Sequence, residues 1–279
     1  GSVARGCLNV THFSMKPVFI LGLLFPFTVQ ILGEESSPIV ANVEGWVPGL
    51  VTETLGEAKF GSVSCERRSE RASILPLSEG RCLKVLFPKG KVGSKESGAQ
   101  FVIDLPPRRD STLRYRVKAE AGFLFQKGGK LPGLASGGSQ FTGGRPPGKE
   151  GGWSARYMWR REGALELYFY HPKMTDQFGE RHPLDHRLIL GEWTELTQVI
   201  DVGDKGKRNG SLEVYVNRER ALRLDGLALY GTKYGSIDSF LFSTFYGGSS
   251  QDWAPEKDTR LCFDDFEISC RDLGPDTKD

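Results

Sequence analysis

Short segments of alternating apolar and polar residues follow one another after residue 37, separated by glycine, proline, asparagine and aspartate. Leu212, Val214 and Val216 fall on one face of such a segment, and Glu213 and Tyr215 fall on the other, as in a half-buried β-strand. No window has the period of a long amphipathic helix. The predicted strands are 81–87, 98–104, 111–119, 122–126, 154–160, 165–171, 191–202, 211–216, 218–224, 237–246 and 259–269.

Turn signals recur roughly every 8–12 residues, a spacing typical of antiparallel sandwiches and barrels. No repeat and no Ser/Pro-rich linker divides the 279 residues. We therefore predict an all-β protein in which residues 34–279 form a single domain, an antiparallel β-jelly roll or lectin-like β-sandwich.

Residues 15–33 have the pattern of a signal peptide: a short basic start, an apolar run and a small residue at the end. The apolar run is shorter than the roughly 20 residues of a membrane span, so a signal anchor is the weaker alternative. Residues 1–14 would then be an artificial or gene-model extension. We expect a secreted monomer without a membrane segment after cleavage, glycosylated at Asn209 in an Asn-Gly-Ser sequence.

Four cysteines remain after such a cleavage, and in a secreted chain they predict two disulfides with three possible connectivities. Cys262 and Cys270 are eight residues apart in one predicted strand, about 26 Å when extended, which is beyond disulfide reach. Each is therefore expected to pair with Cys65 or Cys82, or to stay free. A zinc site is the alternative, but no close Cys-x-x-Cys spacing supports it.

Two of the predicted strands form a hairpin. Residues 161–163 (Arg-Glu-Gly) fit a three-residue loop, a type I turn closed by a left-handed glycine. If Arg160 faces Ala164 across this loop, the register of the whole hairpin follows.

That register gathers four polar side chains on one strand face. Arg156 lies opposite Tyr168, and Ser154 lies opposite Tyr170. Side chains two apart share a face at about 7 Å, and cross-strand partners are about 5 Å apart. A hydroxyl, a guanidinium and two phenols therefore meet where a sandwich strand would ordinarily be apolar, which predicts a functional site.

The charge distribution indicates the ligand. The chain as a whole carries a formal net charge of only +2, yet residues 127–161 contain seven basic residues and one acid. Such a local excess favours an anionic ligand bound at one place over a general coating of nucleic acid or membrane. A solvated basic loop is the alternative. The segment 128–152, with ten glycines, is either a functional lid or a disordered insertion, and the lid is favoured because candidate site residues flank it.

Several other chemistries are excluded by motif. Gly-Gly-Lys at 128–130 is followed by Leu131, where a phosphate-binding loop needs Ser or Thr. There is no Gly-x-Ser-x-Gly nucleophile motif. Glu166 lies on the polar strand face, but tyrosines occupy the positions where a second carboxylate would be needed for glycoside hydrolysis. We expect no metal and no cofactor.

The strongest motifs resemble one known family. Lys-Gly-Gly-Lys-Leu-Pro-Gly-Leu (127–134), Trp-Ser-Ala-Arg-Tyr-Met-Trp-Arg (153–160), Glu-Leu-Tyr-Phe-Tyr (166–170) and Ser-Thr-Phe-Tyr-Gly-Gly-Ser (243–249) with Trp253-Ala254-Pro255 resemble the family 14 polysaccharide lyases. Those are β-jelly-roll alginate or glucuronan lyases of algal viruses and marine molluscs. The similarity extends over about residues 113–269. Family 20 glucuronan lyases share part of the pattern, so the substrate stays open.

The resemblance implies roles for individual residues. Lys130 corresponds to the catalytic lysine and Tyr168 and Tyr170 to the tyrosine pair, while Ser154 and Arg156 correspond to substrate-contacting residues. The basic residues flanking them are added as binding candidates: Lys127 and Arg160.

The implied reaction is β-elimination on a polyuronate. Cations on the sugar carboxylate stabilise the intermediate that forms when the C5 proton leaves. A tyrosine, with a free pKa near 10, then acts as base where cations favour its phenolate. The predicted function is a secreted lyase that cleaves alginate or glucuronan and leaves unsaturated uronate ends. The alternative is a non-catalytic lectin-like module that binds acidic glycans in the same basic groove.

Overall fold

The structure, a computed structural model, describes residues 39–41, 49–50, 63–67, 69–77 and 80–269. The predicted signal peptide, Cys270 and the side chain of Cys65 lie outside the described residues. Among the residues described, no helix is long and apolar enough to cross a membrane.

The described chain is built from strands and short helical turns. The strands are β1 (Ile39–Ala41), β2 (Gly49–Leu50), β3 (Val63–Arg67), β4 (Ala72–Leu77), β5 (Gly80–Phe87), β6 (Ala99–Arg108), β7 (Asp110–Ala119), β8 (Gly129–Ser136), β9 (Trp153–Trp159), β10 (Ala164–Tyr170), β11 (Glu180–Arg187), β12 (Trp193–Asp201), β13 (Gly210–Val216), β14 (Glu219–Leu227), β15 (Ile237–Thr244) and β16 (Thr259–Ser269). One α-helical turn of four residues, α1 (Gly93–Glu96), precedes β6.

These strands form two antiparallel sheets. The larger has nine strands in the order β14-β13-β12-β7-β16-β5-β4-β2, with β1 paired to β16, and the smaller has seven in the order β11-β10-β9-β8-β15-β6-β3. Hairpin-connected neighbours alternate in each sheet with pairs that are distant in sequence, such as β7 with β16 and β8 with β15, as in a jelly roll. The predicted all-β fold class is confirmed.

The core lies between the two sheets and is rich in aromatic rings. The ring of Phe87, from the larger sheet, meets Trp159 of the smaller sheet edge to face at 5.7 Å between centroids, and Tyr246 and Phe123 close the same cluster. Because alternate residues of each strand fill this core, the residues between them in β9 and β10 must point away from it. The outer face of the smaller sheet therefore receives the predicted polar set.

The hairpin of β9 and β10 has the predicted register, with Tyr168 paired to Arg156 and Tyr170 to Ser154. The turn itself differs from the prediction. Glu162 has a φ of 55°, so it adopts the left-handed conformation that the sequence assigned to the following glycine alone. The loop length nevertheless sets the register, because Arg160 donates its N–H to the carbonyl of Ala164 at 2.7 Å.

Three predictions about secondary structure were wrong. Gly129–Ser136, taken as the start of a lid or insertion, is the buried strand β8 in the middle of the smaller sheet. Glu180–Arg187 is an unpredicted strand, β11, in spite of its proline. Residues 122–126 form turns and irregular chain instead of a strand.

Cys82 and Cys262 are free thiols in the structure, so the expected disulfides are absent at these two positions. They lie on the neighbouring strands β5 and β16, both fully buried. A hydrogen bond between the two thiols raises the pKa of Cys82, with burial adding to it, and lowers the pKa of Cys262. Of the two alternatives predicted from the sequence, disulfide-bonded or free, both cysteines are free.

Candidate active site

A cavity of about 390 Å³ opens on the outer face of the smaller sheet, and we refer to it as the central cavity. Strands β8, β9 and β10 supply its base, and loops on either side supply its walls. It brings together three of the predicted site residues, Lys130, Arg156 and Tyr168. Lining residues that sequence reasoning did not identify include Arg145, Gln100 and Phe178.

Lys130 is nearly buried, with 9% of its surface exposed. Its Nζ donates to the sulfur of Met158 at 2.7 Å and lies 3.6 Å from the centroid of the Tyr168 ring. Burial lowers the pKa of Lys130 well below its usual value, and the nearby Arg156 adds to this, while Glu166 opposes it. The amine is therefore readily converted to the neutral form that can accept a proton.

Arg156 places a guanidinium in the base of the cavity with 2% of its surface exposed. Its Nη1 donates to Ser243 Oγ at 3.2 Å, and Ser243 Oγ donates to Gln100 Oε1 at 3.2 Å. Its Nε has no hydrogen-bond partner among the described residues. Burial lowers the pKa of Arg156 to about 10, so the group remains charged at neutral pH. A buried cation at the base of an open cavity favours an anionic ligand, because the ligand compensates its charge.

The two tyrosines of β10 occupy different positions. Tyr168 lines the cavity, whereas Tyr170 is fully buried behind it, with the hydroxyls 3.4 Å apart. The Tyr170 hydroxyl accepts the N–H of Gly144 at 2.9 Å. Burial raises the pKa of Tyr168, the hydrogen bond to Tyr170 raises it further, and Arg156 only partly opposes them. The expectation that cations favour a phenolate is therefore not met at Tyr168, which is held as a phenol.

Residues 137–152, which we call the glycine-rich loop, pack over this face of the sheet. Ser154 donates its Oγ–H to the carbonyl of Phe141 at 2.7 Å and is itself fully buried, so in this structure it holds the loop and does not line the cavity. Phe141 packs against Tyr234 at 5.2 Å between ring centroids. The loop presents Arg145 to the cavity, with the guanidinium bonded to the carbonyls of Thr142 and Ser139. It is thus a packed wall of the site, as the lid interpretation favours.

Lys127 and Arg160 lie beside the central cavity and are not among its lining residues. Lys127 Nζ is 5.9 Å and Arg160 Cζ is 5.5 Å from the centroid of the Trp253 ring. Lys127 also forms an ion pair with the exposed Asp252. The structure therefore separates the predicted cations into a buried group in the cavity and an outer group around Trp253.

The strand face contains further groups that the sequence did not assign. The position of Glu166 on this face is predictable, because it is two residues from Tyr168 in β10. Its carboxylate accepts two hydrogen bonds from Arg181 Nε at 3.0 Å and one from Arg181 Nη2 at 2.8 Å. The position of Met158 is predictable in the same way, because it is two residues from Arg156 in β9. Ser243 and Gln100 come from strands that are distant in sequence, and only the fold brings them to Arg156.

The described residues contain no group of three or more His, Cys, Asp or Glu side chains placed to hold a metal ion. The base of the central cavity supplies two buried basic side chains, Lys130 and Arg156, and the phenol of Tyr168. This combination can neutralise a carboxylate, accept a proton and donate one within a single cavity.

Comparison with known proteins gives one family. The family model described as Polysaccharide lyase 14 matches residues 76–266, which is more than half of the chain. A sequence comparison with curated proteins finds no match.

Solved structures with the same fold include several lyases. The alginate lyase Aly36B has a TM-score of 0.72 at 22% identity, over 84% of this chain and 97% of that chain. The PL-14 alginate lyase from Aplysia kurodai has a TM-score of 0.68 at 25% identity, over 78% and 93% of the two chains. The alginate lyase vAL-1 from Chlorella virus has a TM-score of 0.67 at 19% identity, over 81% and 99%.

Proposed function

Because the chain belongs to the Polysaccharide lyase 14 family, we propose that it cleaves acidic polyuronates, with alginate as the preferred substrate, by β-elimination. The buried guanidinium of Arg156 is the observation that carries the proposal, since it lines a cavity that also holds a proton acceptor and a proton donor. The 25% identity to the alginate lyase from Aplysia kurodai supports alginate over glucuronan as the substrate.

The reaction needs the negative charge of the sugar carboxylate to be offset before the C5 proton can leave. Arg156 supplies a fixed positive charge that is shielded from solvent, where such a charge stabilises the enolate-like intermediate more than it would in water. Arg145, at the cavity wall, is placed to hold the same or the neighbouring carboxylate.

The pKa shifts suggest which group moves which proton. In our proposal the neutral amine of Lys130 accepts the C5 proton, and the electron pair of that C–H bond becomes the C4–C5 double bond. The bond from C4 to the glycosidic oxygen breaks, and Tyr168, held as a phenol, donates its proton to the departing oxygen. Tyr170 then acts as a positioning residue through its hydroxyl contact with Tyr168. A single tyrosine acting as both base and acid is the competing scheme.

The test is the ultraviolet absorbance of unsaturated uronate ends. We expect it to rise when the protein is mixed with mannuronate-rich alginate, guluronate-rich alginate or glucuronan, and to persist after treatment with a chelator. Binding of these polymers without any rise in absorbance would instead support the lectin-like alternative. Loss of activity that only a divalent ion restores would contradict the metal-free scheme.

The pH dependence follows from the same two groups. Activity requires neutral Lys130 and protonated Tyr168, so kcat should rise with pH as Lys130 loses its proton, well below pH 10.5. It should fall only where Tyr168 ionises, above pH 10. A profile measured between pH 5 and about 11 checks the rising limb, and no fall from ionisation of Tyr168 is expected within that range. If the rising limb is unchanged in a Lys130→Arg variant that retains activity, Lys130 is not the base.

We also propose that the protein is secreted and glycosylated at Asn209. Asn209 lies in an exposed loop, where a glycan can be accommodated. Peptide mapping of protein secreted from eukaryotic cells tests both proposals, and an unmodified Asn209 in the secreted protein would contradict the glycosylation.

A further inference from the structure

We propose that Trp253, Lys127 and Arg160 form an outer subsite for a uronate unit, and that a bound polyuronate extends from the central cavity towards Trp253. This inference rests on the proposed function, because it concerns how far and in which direction the substrate of that site reaches. Three observations carry it: a wall that Trp253 shares with the central cavity, a pair of cations beside its ring, and an acidic cavity that adjoins the central cavity elsewhere.

The Trp253 ring and the central cavity share a wall. Gly247 and Gly248 line the cavity, and the Trp253 ring lies directly against them. A Cβ atom at Gly248 would overlap the ring, so the two can approach this closely only because that residue is a glycine. The N–H of Gly247 donates to the carbonyl of Gly128 at 3.0 Å, which ties the wall to the start of β8. A ligand leaving the cavity on this side therefore meets Trp253 next.

Two cations accompany the ring. Arg160 Cζ lies 5.5 Å and Lys127 Nζ 5.9 Å from its centroid, distances at which the ring holds a cation in place. The acid on Lys127, Asp252, is an exposed partner, and exposed ion pairs are weak enough for a substrate carboxylate to exchange with them. The acid nearest Arg160, Glu166, is 3.7 Å from it but is held by Arg181 at 2.8 Å. The pair can therefore bind the carboxylate of a sugar beside Trp253.

An acidic cavity adjoins the central cavity at a different part of its wall. A second cavity, of about 430 Å³, adjoins the first at Ser139, which lines both. Asp104 and Asp238 line this second cavity. Carboxylates in this second cavity repel the carboxylates of a polyuronate, whereas the cations around Trp253 attract them. These charges favour a polyuronate that extends from the central cavity towards Trp253.

The chain contains a matched control. Trp193, on the larger sheet, also has two cations near its ring, Arg116 Cζ at 5.0 Å and Lys118 Nζ at 4.6 Å. Its strand, β12, belongs to the sheet that does not carry the central cavity. Replacing Trp193 thus removes the same kind of cluster without touching the groove.

The experiment compares Trp253→Ala, Trp253→Phe, Lys127→Gln and Trp193→Ala with the unaltered protein on alginate polymer and on alginate oligomers of defined length. For Trp253→Ala we expect KM on polymer to rise about 3- to 10-fold, while kcat and KM on the shortest cleaved oligomer stay within about twofold. Trp253→Phe should retain most of the polymer affinity. Lys127→Gln should raise KM on polymer and reduce its dependence on salt. Trp193→Ala should change nothing.

Two results would overturn the inference. One is an equal loss on every chain length in Trp253→Ala together with an unchanged KM on polymer in Lys127→Gln, which would make Trp253 a structural support of the cavity. The other is full activity of both variants on polymer. If the unaltered protein cleaves no polyuronate, the proposed function fails, and the subsite is then judged by calorimetric binding of alginate polymer to the same variants, which must weaken at Trp253 and Lys127 but not at Trp193.

Discussion

Replacing Arg156 with alanine should lower kcat on polyuronate by about 10²–10³-fold, the loss typical of removing a preorganised group that stabilises a developing negative charge. KM should rise as well, because the same guanidinium holds the carboxylate in the ground state. The large effect follows from burial. Arg156 is 2% exposed and its Nε has no partner among the described residues. Water that enters the variant cannot supply the positive charge that is lost.

Arg161→Ala is the matched control for this substitution. Arg161 lies exposed in the turn of the same hairpin, outside the central cavity, so its removal should leave both kinetic constants within about twofold. Circular dichroism and thermal melting of both variants show whether folding is intact. If Arg156→Ala changes KM alone, the guanidinium only binds substrate, and the proposed stabilisation of the intermediate is wrong.

Replacing Tyr168 with phenylalanine should lower kcat by about 10²–10⁴-fold with little change in KM, because the ring is kept and only the proton-transfer group is lost. Tyr168 lines the cavity with its ring against Lys130, so the hydroxyl is near the substrate.

Tyr170→Phe provides the comparison, since it removes the same atom from the neighbouring residue. Tyr170 is buried behind Tyr168 and bonds to Gly144, so we expect a smaller loss of kcat and a looser glycine-rich loop. The measurement is steady-state kinetics on alginate, with limited proteolysis of residues 137–152. If both variants keep near-normal kcat, the tyrosine scheme is wrong and Lys130 must serve both proton transfers.

The sequence predicted the hairpin of β9 and β10 because its register depends on a local quantity, the length of one turn. Once Arg160 is placed opposite Ala164, parity alone puts Arg156 and Tyr168 on the same face. The same parity argument reaches Met158, although its chemistry gave no reason to single it out.

Strand β8 shows why the rest could not be predicted. Its Pro132 and Gly133 are depleted in strands, so the segment reads as loop, yet Gly133 is needed where β8 approaches the backbone of Ala155 too closely for a Cβ atom. Similarly, Ser243 reaches Arg156 from a strand 87 positions away in the chain. Such contacts depend on strand order, which no local pattern encodes.

The pKa of Tyr168 could not be predicted from the sequence either, because the direction of its shift depends on a balance of opposing effects. From sequence, the nearby cations were expected to favour the phenolate. The fold buries the hydroxyl and pairs it with Tyr170, and these two effects outweigh the cation at Arg156. The sequence can show which charged groups lie near a side chain and whether each raises or lowers its pKa. The burial that the fold imposes decides the direction of the total shift.

The unsatisfied Nε of Arg156 sets conformational stability against catalysis at a single residue. A buried charge whose donors are incompletely paired destabilises a fold, and an apolar side chain of similar length often restores a few kcal/mol. Arg156→Met should therefore give a protein that melts at a higher temperature and loses kcat as Arg156→Ala does. An anionic ligand in the cavity should raise the melting temperature of the active form, because it binds only the folded state and offsets the charge of Arg156.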